Sequence, residues 1–467
     1  MQDCWYRQIP DDELTETQRQ IADSSESAVH LCMIQSPTCL QDVLRIMDKK
    51  TILWLWGLEG SITLADSDFI DDRCSSLRVG RVGGVRFVIY GSTDQVVAQI
   101  ASLLWSLHDR EDGSDFIVII YGFHNMFDFS VVTPRQLASL FENNPNRKTH
   151  LHGLSLNPKQ ASILASQPFK IDLRLANCVF PPEDQTFLEV LERRTSPFGN
   201  LRLPVDNPFA PGTQTRLFEM PTLGFLSICP AALESKNMLL SPFSSKVNKL
   251  KFSLDKTDDQ WRHVKSVNIV PKKCVLKVQC KCYGFPSVFL QATGHLSELG
   301  LIYSCATPSK QELADLATAV DTNHNLRVLE IGTLDRHWVS SWQNLMAVLA
   351  RHIGLNTLKL KVSIDATRTH RFAKICRGLL WMLTENYRID VIIVSPNKGV
   401  NIIWNEALHE RLTLNRFLRG CKGLTREIEL NRTALLGLAL MEIMRHDTRR
   451  TAALLADNID AICVLLQ

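Results

Sequence analysis

The sequence lacks several features that would have assigned it to a well-defined functional class. No uninterrupted apolar run reaches the roughly 18 residues that a membrane-spanning helix needs. The phosphate-binding pattern GxxxxGK[ST], the zinc-protease pattern HExxH, the hydrolase pattern GxSxG and the protein-kinase motif set are all missing. These absences remove the usual sequence support for an enzyme, so we expect no catalytic residue.

A disulfide framework and a strong net charge are also missing. The 13 cysteines are odd in number and follow no regular spacing, which is typical of reduced thiols in a cytoplasmic or nuclear protein. The first ten residues lack the basic region and apolar core of a secretory signal. A formal net charge of +3 is too small to favour nucleic acid or a membrane. We therefore expect neither a membrane nor nucleic acid as a partner.

Two clusters of potential metal ligands have unsuitable spacing. Cys274, Cys280 and Cys282 form C-x5-C-x-C, whereas zinc usually takes paired hooks of closer cysteines, so we interpret them as reduced strand thiols. An acidic run lacks the glycine and the bidentate glutamate that a calcium loop needs, and we interpret it as a solvated loop: Asp66, Asp68, Asp71 and Asp72. We expect no metal.

Two further short motifs are interpreted as having no catalytic or cofactor-binding role. His409-Glu410 lies in a helical stretch without a partner histidine, which indicates a surface position. The glycine-rich segment from Gly80 to Gly84 precedes a predicted strand, whereas a dinucleotide-binding fingerprint follows one. We interpret that segment as a turn and expect no cofactor.

Three consecutive units between Thr307 and Asn397 share one helix-to-strand pattern. Each helix has apolar residues at i, i+3, i+4 and i+7, the spacing of one helical face: Leu313, Leu316, Ala317, Val320; Trp342, Leu345, Met346, Leu349; Cys376, Leu379, Leu380, Leu383. Each strand has apolar residues at i, i+3 and i+5: Leu326, Leu329, Ile331; Leu355, Leu358, Leu360; Ile389, Ile392, Val394. A repeated helix-plus-strand unit of about thirty residues is typical of a leucine-rich-repeat solenoid.

The pattern extends towards the amino terminus with decreasing regularity. The predicted strand centres are Leu154, Leu173, Leu201, Leu226, Leu250, Leu276, Leu299, Leu329, Leu358 and Ile392. Lysine occupies the first apolar position of two units, at Lys170 and Lys273. The turn position that normally holds Asn or Cys is polar or Cys in six units: Cys178, Asp206, Asp255, Ser304, Ser363 and Asn397. We therefore predict an irregular α/β leucine-rich-repeat solenoid, with a parallel sheet on the concave side and helices on the convex side.

These patterns divide the chain into four segments. Residues 1–50 are predicted to be a polar tail with a short helix, and residues 131–400 the solenoid. Residues 51–130 alternate strand and helix, which implies a parallel sheet, either as a small α/β domain or, as we favour, as atypical first repeats. Residues 401–467 are predicted to form a helical cap, because a solenoid otherwise exposes the apolar face of its last repeat.

Several stretches also resemble a known family. They include LHGLSLNPKQASILASQPFKIDLRL, LLSPFSSKVNKLKFSL, VPKKCVLKV, NHNLRVLEI, LNRFLRG and RRTAALLADNIDAICVLLQ. In these the chain is similar to degenerate leucine-rich-repeat-like proteins of algae, of the diatom type, over about residues 130–467. The resemblance implies a solenoid with a binding role and supplies no functional residue.

Side chains between the apolar positions of each strand are predicted to face the concave side. The candidate binding surface comprises Arg174, Arg202, Lys249, Lys251, Lys277, Arg327, Glu330, Lys359 and Lys361. Its basic bias serves either solubility or a partner with an acidic surface. We predict a non-enzymatic, protein-binding scaffold.

Two other functions stay open at this point. A substrate-recognition subunit of a ubiquitin ligase would need a helical adaptor-binding box near residues 30–50. An enzyme with its chemistry in the N-terminal α/β segment would need a closed apolar cleft with convergent polar groups near Tyr121 to His124.

Overall fold

A computed structural model describes most of the chain up to Val394. The described residues are 5–16, 18–19, 29–48, 50–64, 75–81, 86–108, 117–121, 127–181, 183–209, 212–254, 259–279, 284–304, 308–334, 338, 341–362 and 370–394. Beyond them only 407–409, 411–412, 415, 437, 440–441, 455 and 459 are described.

The chain divides into two compact units, Met1–Lys251 and Phe252–Gln467. The described strands of the first are β1 Tyr6–Gln8, β2 Val29–Met33, β3 Thr51–Leu55, β4 Gly60–Leu64, β5 Ser75–Arg81, β6 Arg86–Gly91, β7 Ile117–Tyr121, β8 Lys148–His152, β9 Ile171–Ala176, β10 Gly199–Leu203 and β11 Leu223–Ile228. Its described helices are α1 Leu40–Ile46, α2 Asp94–Ser106, α3 Pro134–Glu142, α4 Pro158–Ser166, α5 Thr186–Arg193 and α6 Gln214–Phe218. The division falls within the next strand, β12 Lys249–Leu254.

The second unit alternates helices and strands. Its described strands after β12 are β13 Lys273–Val278, β14 Glu298–Tyr303, β15 Val328–Leu334, β16 Thr357–Val362 and β17 Asp390–Val394. Its described helices are α7 Phe285–Gln291, α8 Lys310–Thr322, α9 Trp342–Arg351 and α10 His370–Glu385. No helix in the described part of either unit is long and apolar enough to cross a membrane.

The beginning of the first unit differs from the tail predicted for residues 1–50. Strand β1 pairs antiparallel with β2, and β2 pairs parallel with β3. Helix α1 follows β2 and buries Leu40 and Val43. Strand β1 was missed in this polar segment because it is only three residues long and partly exposed.

The parallel sheet predicted for residues 51–130 is wrong. Strand β4 pairs antiparallel with β3 and β6, and β5 pairs antiparallel with β6 and β7. The sequence pattern showed only strands alternating with helices and missed β4 and β5. Each of these two strands runs antiparallel to the strands it pairs with. An antiparallel arrangement of this kind is not a stack of helix-plus-strand repeats.

From β7 onward the pairing within the first unit is parallel. Strands β7 to β11 pair in sequence order, with helices α3 to α6 in the connections. Capping boxes start α3 and α4: Thr133 and Asn157 accept from the backbone N–H three residues on, and each is followed by proline at the first helical position.

Strands β13 to β17 of the second unit also pair in parallel and in sequence order. The predicted apolar faces of α8 and α9 are buried, as are Leu329 and Leu358 at the strand centres. Ser309 caps α8 with a capping box, its hydroxyl accepting from Glu312 N–H. The α/β class predicted from the sequence is therefore confirmed.

Two strands have a different register from the predicted one. Cys274, not Leu276, lies opposite Leu299, so the central buried residue of β13 comes two residues earlier than predicted. Lys273 consequently lies opposite Glu298. In β17, Val391 lies opposite Leu358, whereas Ile392 is 39% exposed.

The predicted strand around Leu154 also ends early. Strand β8 ends at His152, and Leu154 is buried in the turn that follows it.

Buried polar side chains connect successive helix-to-strand turns of the second unit. The Asn323 Nδ2 donates to the carbonyl oxygens of Thr293 and Leu296, both at 2.9 Å. The Asn386 Nδ2 donates to those of Leu349 and His352, both at 3.0 Å. These carbonyls lie in the last turn of a helix or just beyond it, where backbone acceptors lack the regular intrahelical donor.

The first unit closes its turns with several kinds of side chain. The buried Gln160 Nε2 donates to the carbonyl oxygens of Phe129 and Val132, at 2.7 and 2.8 Å. The Arg194 guanidinium donates to Ala165 O and Phe169 O, at 3.0 and 2.9 Å.

The predicted turn residue Cys178 is buried, and its Sγ donates to Leu151 O at 3.3 Å. The predicted cap over residues 401–467 lies almost wholly outside the described residues. Within it, Asn415 donates to Leu383 O at 2.8 Å.

Candidate functional site

The polar face of strands β8 to β12 contains four of the predicted binding residues. Side chains alternate between the two faces of each strand, so that Leu173 and Leu201 are buried while their neighbours are only half-buried. The predicted residues are Arg174, Arg202, Lys249 and Lys251. Up to Lys251, this face also carries Lys148 and one carboxylate, Asp172. We call this set, five cationic residues and one carboxylate, the basic face.

Asp172 is held tightly within the basic face. The Arg202 Nε and Nη2 donate to its two carboxylate oxygens, each at 2.9 Å, and Asn200 Nδ2 donates at 3.0 Å. Burial works to raise the pKa of Asp172, but the hydrogen bonds and charge of Arg202, with the bond from Asn200, hold it below its ordinary value. The carboxylate therefore forms a bidentate ion pair with Arg202.

An aromatic ring lies among these cations. The register between β10 and β11 shifts at Gly199, so that Asn200 lies opposite Phe225 rather than Gly224. Gly199 has φ +105, and a Cβ there would lie 2.3 Å from Ile171 O, so only glycine fits this irregularity. The Arg202 Cζ lies 5.0 Å and the Lys249 Nζ 5.9 Å from the centre of the Phe225 ring.

His150 lies on the same polar face, in β8, opposite Arg174 of the neighbouring strand β9. Burial, and next the charge of Arg174, lower its pKa to about 4, so the imidazole is neutral at pH 7. It therefore adds a polar surface but no charge to the basic face.

The predicted residues of the second unit form a more balanced surface. The Lys361 Nζ lies 2.7 Å from the Glu330 carboxylate. Lys359 lies opposite Glu330 on one side and Ile392 on the other, and Lys277 lies opposite Ile302.

Arg327, unlike these residues, does not lie within a strand. It precedes β15, and its Nη1 donates to Gly354 O at 2.9 Å. Its side chain is therefore tied to the turn before β16.

Sequence reasoning missed several residues on the polar face of strands β8 to β12, among them Lys148, His150, Asn200 and Phe225. Strict alternation from Leu151, Leu173 and Leu201 would have found the first three. Alternation from the predicted strand centre Leu226 would likewise have found Phe225, which precedes it in β11.

The potential metal ligands give no site in the described part of the chain, where no group of three or more His, Cys, Asp or Glu residues has metal-binding geometry. Cys274 is buried, and burial raises the pKa of its thiol. Cys280, Cys282 and the acidic run Asp66, Asp68, Asp71 and Asp72 lie outside the described residues.

The other short motifs are described only in part. Gly80 and Arg81 end β5, while 82–85 lie outside the described residues, between two strands that pair antiparallel. His409 is helical, and Glu410 is not described.

The two other functions depend on segments that the structure describes only in part. The described residues of 30–50 hold part of β2 and the seven-residue helix α1, rather than a helical box. The cleft considered for an enzyme begins at Tyr121, the end of β7, and residues 122–126 lie outside the described residues.

Comparison with known protein families finds no family model that matches the chain. Comparison with curated proteins likewise finds no match.

Proposed function

We propose that the chain is a non-enzymatic scaffold of leucine-rich-repeat type that binds another protein through the polar side of its parallel strands. The observation that carries the proposal is the basic face of the first unit, where five cationic residues accompany a single carboxylate. The binding partner would present an acidic surface to it.

The repeat architecture is supported by how the turns are joined. In each unit a buried side chain of one helix-plus-strand segment donates to carbonyls of the preceding one, as Gln160 and Asn386 do. Such nearest-neighbour connections are what a repeat protein needs, since each repeat is stabilised by its neighbours.

A protein partner is favoured by the residue types. Arginine and aromatic residues are enriched at protein interfaces, and Arg202 lies against the Phe225 ring. A single exposed ion pair contributes only about 0–1 kcal/mol, so the cations have to act together. Their joint field would mainly speed association with an acidic surface.

The test compares two charge reversals of equal size. The first variant is Lys249→Glu with Lys251→Glu in the basic face, and its matched control is Lys277→Glu with Lys359→Glu in the second unit. Both variants and the wild-type chain are used for affinity capture with mass spectrometry. Association of the captured partner is then measured at rising salt concentration.

We expect a partner with an acidic surface that the control retains and the first variant loses, with association slowed by about tenfold or more at low salt. Equal capture by all three chains would make the basic face a matter of solubility alone. Thermal melts of each variant show whether a loss reflects misfolding.

A further inference from the structure

A groove lies between helices α9 and α10 of the second unit, on elements that the proposed function does not use. The two helices pack against each other at Gly378, where a Cβ would lie 2.7 Å from the Trp342 indole. Next to this close approach is a cavity of about 750 Å³, lined by Trp342, Gln343, Met346, Lys374, Ile375, Arg377, Gly378 and Trp381.

The floor of the groove is apolar and fixed. Trp342 is almost fully buried, and its Nε1 donates to Ile375 O at 3.1 Å across the two helices. Met346, one turn further along α9, is fully buried beside it. Trp381 by contrast is 47% exposed, so one wall of the groove is a large apolar ring open to solvent.

The rim of the groove is cationic. Lys374, Arg377 and Trp381 lie on one face of α10, since their spacing is i, i+3 and i+7. Both cations are exposed, and within the described part of the chain neither has an ion-pair partner. The lining residues that the structure describes include no carboxylate.

We propose that this groove docks a short segment of another protein in which an apolar anchor, Leu or an aromatic residue, is flanked by Asp or Glu. The anchor packs against Trp381 over the Trp342 and Met346 floor, and the carboxylates face Lys374 and Arg377. Segments of this kind bind grooves between helices through a few spaced apolar anchors. The charge of the rim selects acidic flanks over basic ones.

The experiment selects peptides and then maps them. A display library of random short peptides is panned on the full chain, and an enriched peptide is synthesised with a fluorescent label. Its affinity is measured by anisotropy for wild type, for Trp381→Ala and for the pair Lys374→Glu and Arg377→Glu. The matched control reverses two exposed helix lysines elsewhere, Lys159→Glu and Lys310→Glu.

We expect enriched peptides to combine acidic residues with an apolar anchor. Their affinity should fall by about tenfold or more in Trp381→Ala and in the Lys374–Arg377 reversal, and remain unchanged in the control. Because Trp381 is half-exposed, its replacement should leave the melting curve intact.

Three results would overturn the proposal. One is enrichment without a common pattern, and another is binding that falls equally in the control reversal. The third is a concentration-dependent dimer, seen by sedimentation and abolished by Trp381→Ala, which would make a second copy of the chain the occupant.

Discussion

The parallel strands of the two units share an interior pattern but present different polar faces. In the first unit, up to Lys251, this face carries five cationic residues and one carboxylate, Asp172. In the second it carries four lysines and three carboxylates: Lys273, Lys277, Lys359 and Lys361 against Glu298, Glu330 and Asp390.

This difference shows what burial determines and what it leaves open. Helix faces and strand centres must be apolar in both units, since they form the interior. The alternate strand positions carry no such constraint, so their charges can differ without altering the fold. Under the proposed function, binding specificity is therefore to be sought in the alternate positions rather than in the leucine pattern.

Substitutions of buried leucines should have the largest effect on the free energy of unfolding, and the effect should be equal in both units. Leu201 and Leu358 are fully buried at strand centres, so either residue changed to Ala should lower the free energy of unfolding by about 2–5 kcal/mol. Ile392→Ala, at a partly exposed position of β17, should cost less than about 1 kcal/mol. Denaturant unfolding measures all three, and a loss at Ile392 as large as at Leu358 would contradict the register of β17.

The sequence predicted helices and strands well where side-chain periodicity is strong. The faces of α8 and α9 and the strands around Leu329 and Leu358 were found because burial imposes that periodicity. The frame of β13 was not found, because Cys274 takes the place expected of a leucine. The antiparallel pairing of β4 and β5 was missed because pairing partners depend on long-range contacts that no local pattern encodes.

The candidate surface was predicted less completely than the fold. Alternation identified Arg174, Arg202 and Lys249, but it could not show that Arg202 is bound to Asp172 in a bidentate pair. It also placed Arg327 on the binding surface, whereas that side chain bonds to Gly354 O. Charge counting by position thus overestimates how many cations remain to bind a partner.

The turns offer a second comparison, in which the two units should agree. Asn386→Ala removes two donors from buried carbonyls in the second unit and should cost about 1–3 kcal/mol. Gln160→Ala should cost a similar amount in the first unit, through Phe129 O and Val132 O. Asn325→Ala, an exposed position in the turn before β15, serves as the control. Thermal melts that rank the control with the two buried amides would contradict this role.

The ion pairs of the two polar faces should differ in strength. Arg202→Ala breaks a bidentate pair with a carboxylate that is only 12% exposed, and should cost about 1–3 kcal/mol. Lys361→Ala breaks a single contact with Glu330 and should cost about 0–1 kcal/mol. Arg202→Lys should fall between them, because an ammonium group cannot form the bidentate geometry. Equal losses for Arg202→Ala and Lys361→Ala, measured in the same urea titration, would remove the contrast.

The substitution with the smallest expected effect on stability at neutral pH is at His150, and its effect should be measurable only at acidic pH. Its folded-state pKa is about 4, below the ordinary value near 6.5, so between these values the unfolded chain binds about one more proton at this position than the folded chain. The stability associated with His150 is therefore complete above about pH 6.5 and decreases as the pH falls towards 4. His150→Gln should leave stability unchanged near pH 7 and make it less dependent on pH over that window. Strands β13 to β17 contain no histidine, so the second unit offers no counterpart. Urea unfolding across the window measures the effect, and a variant with the same pH dependence as the wild type would show that His150 is not held neutral by its burial beside Arg174.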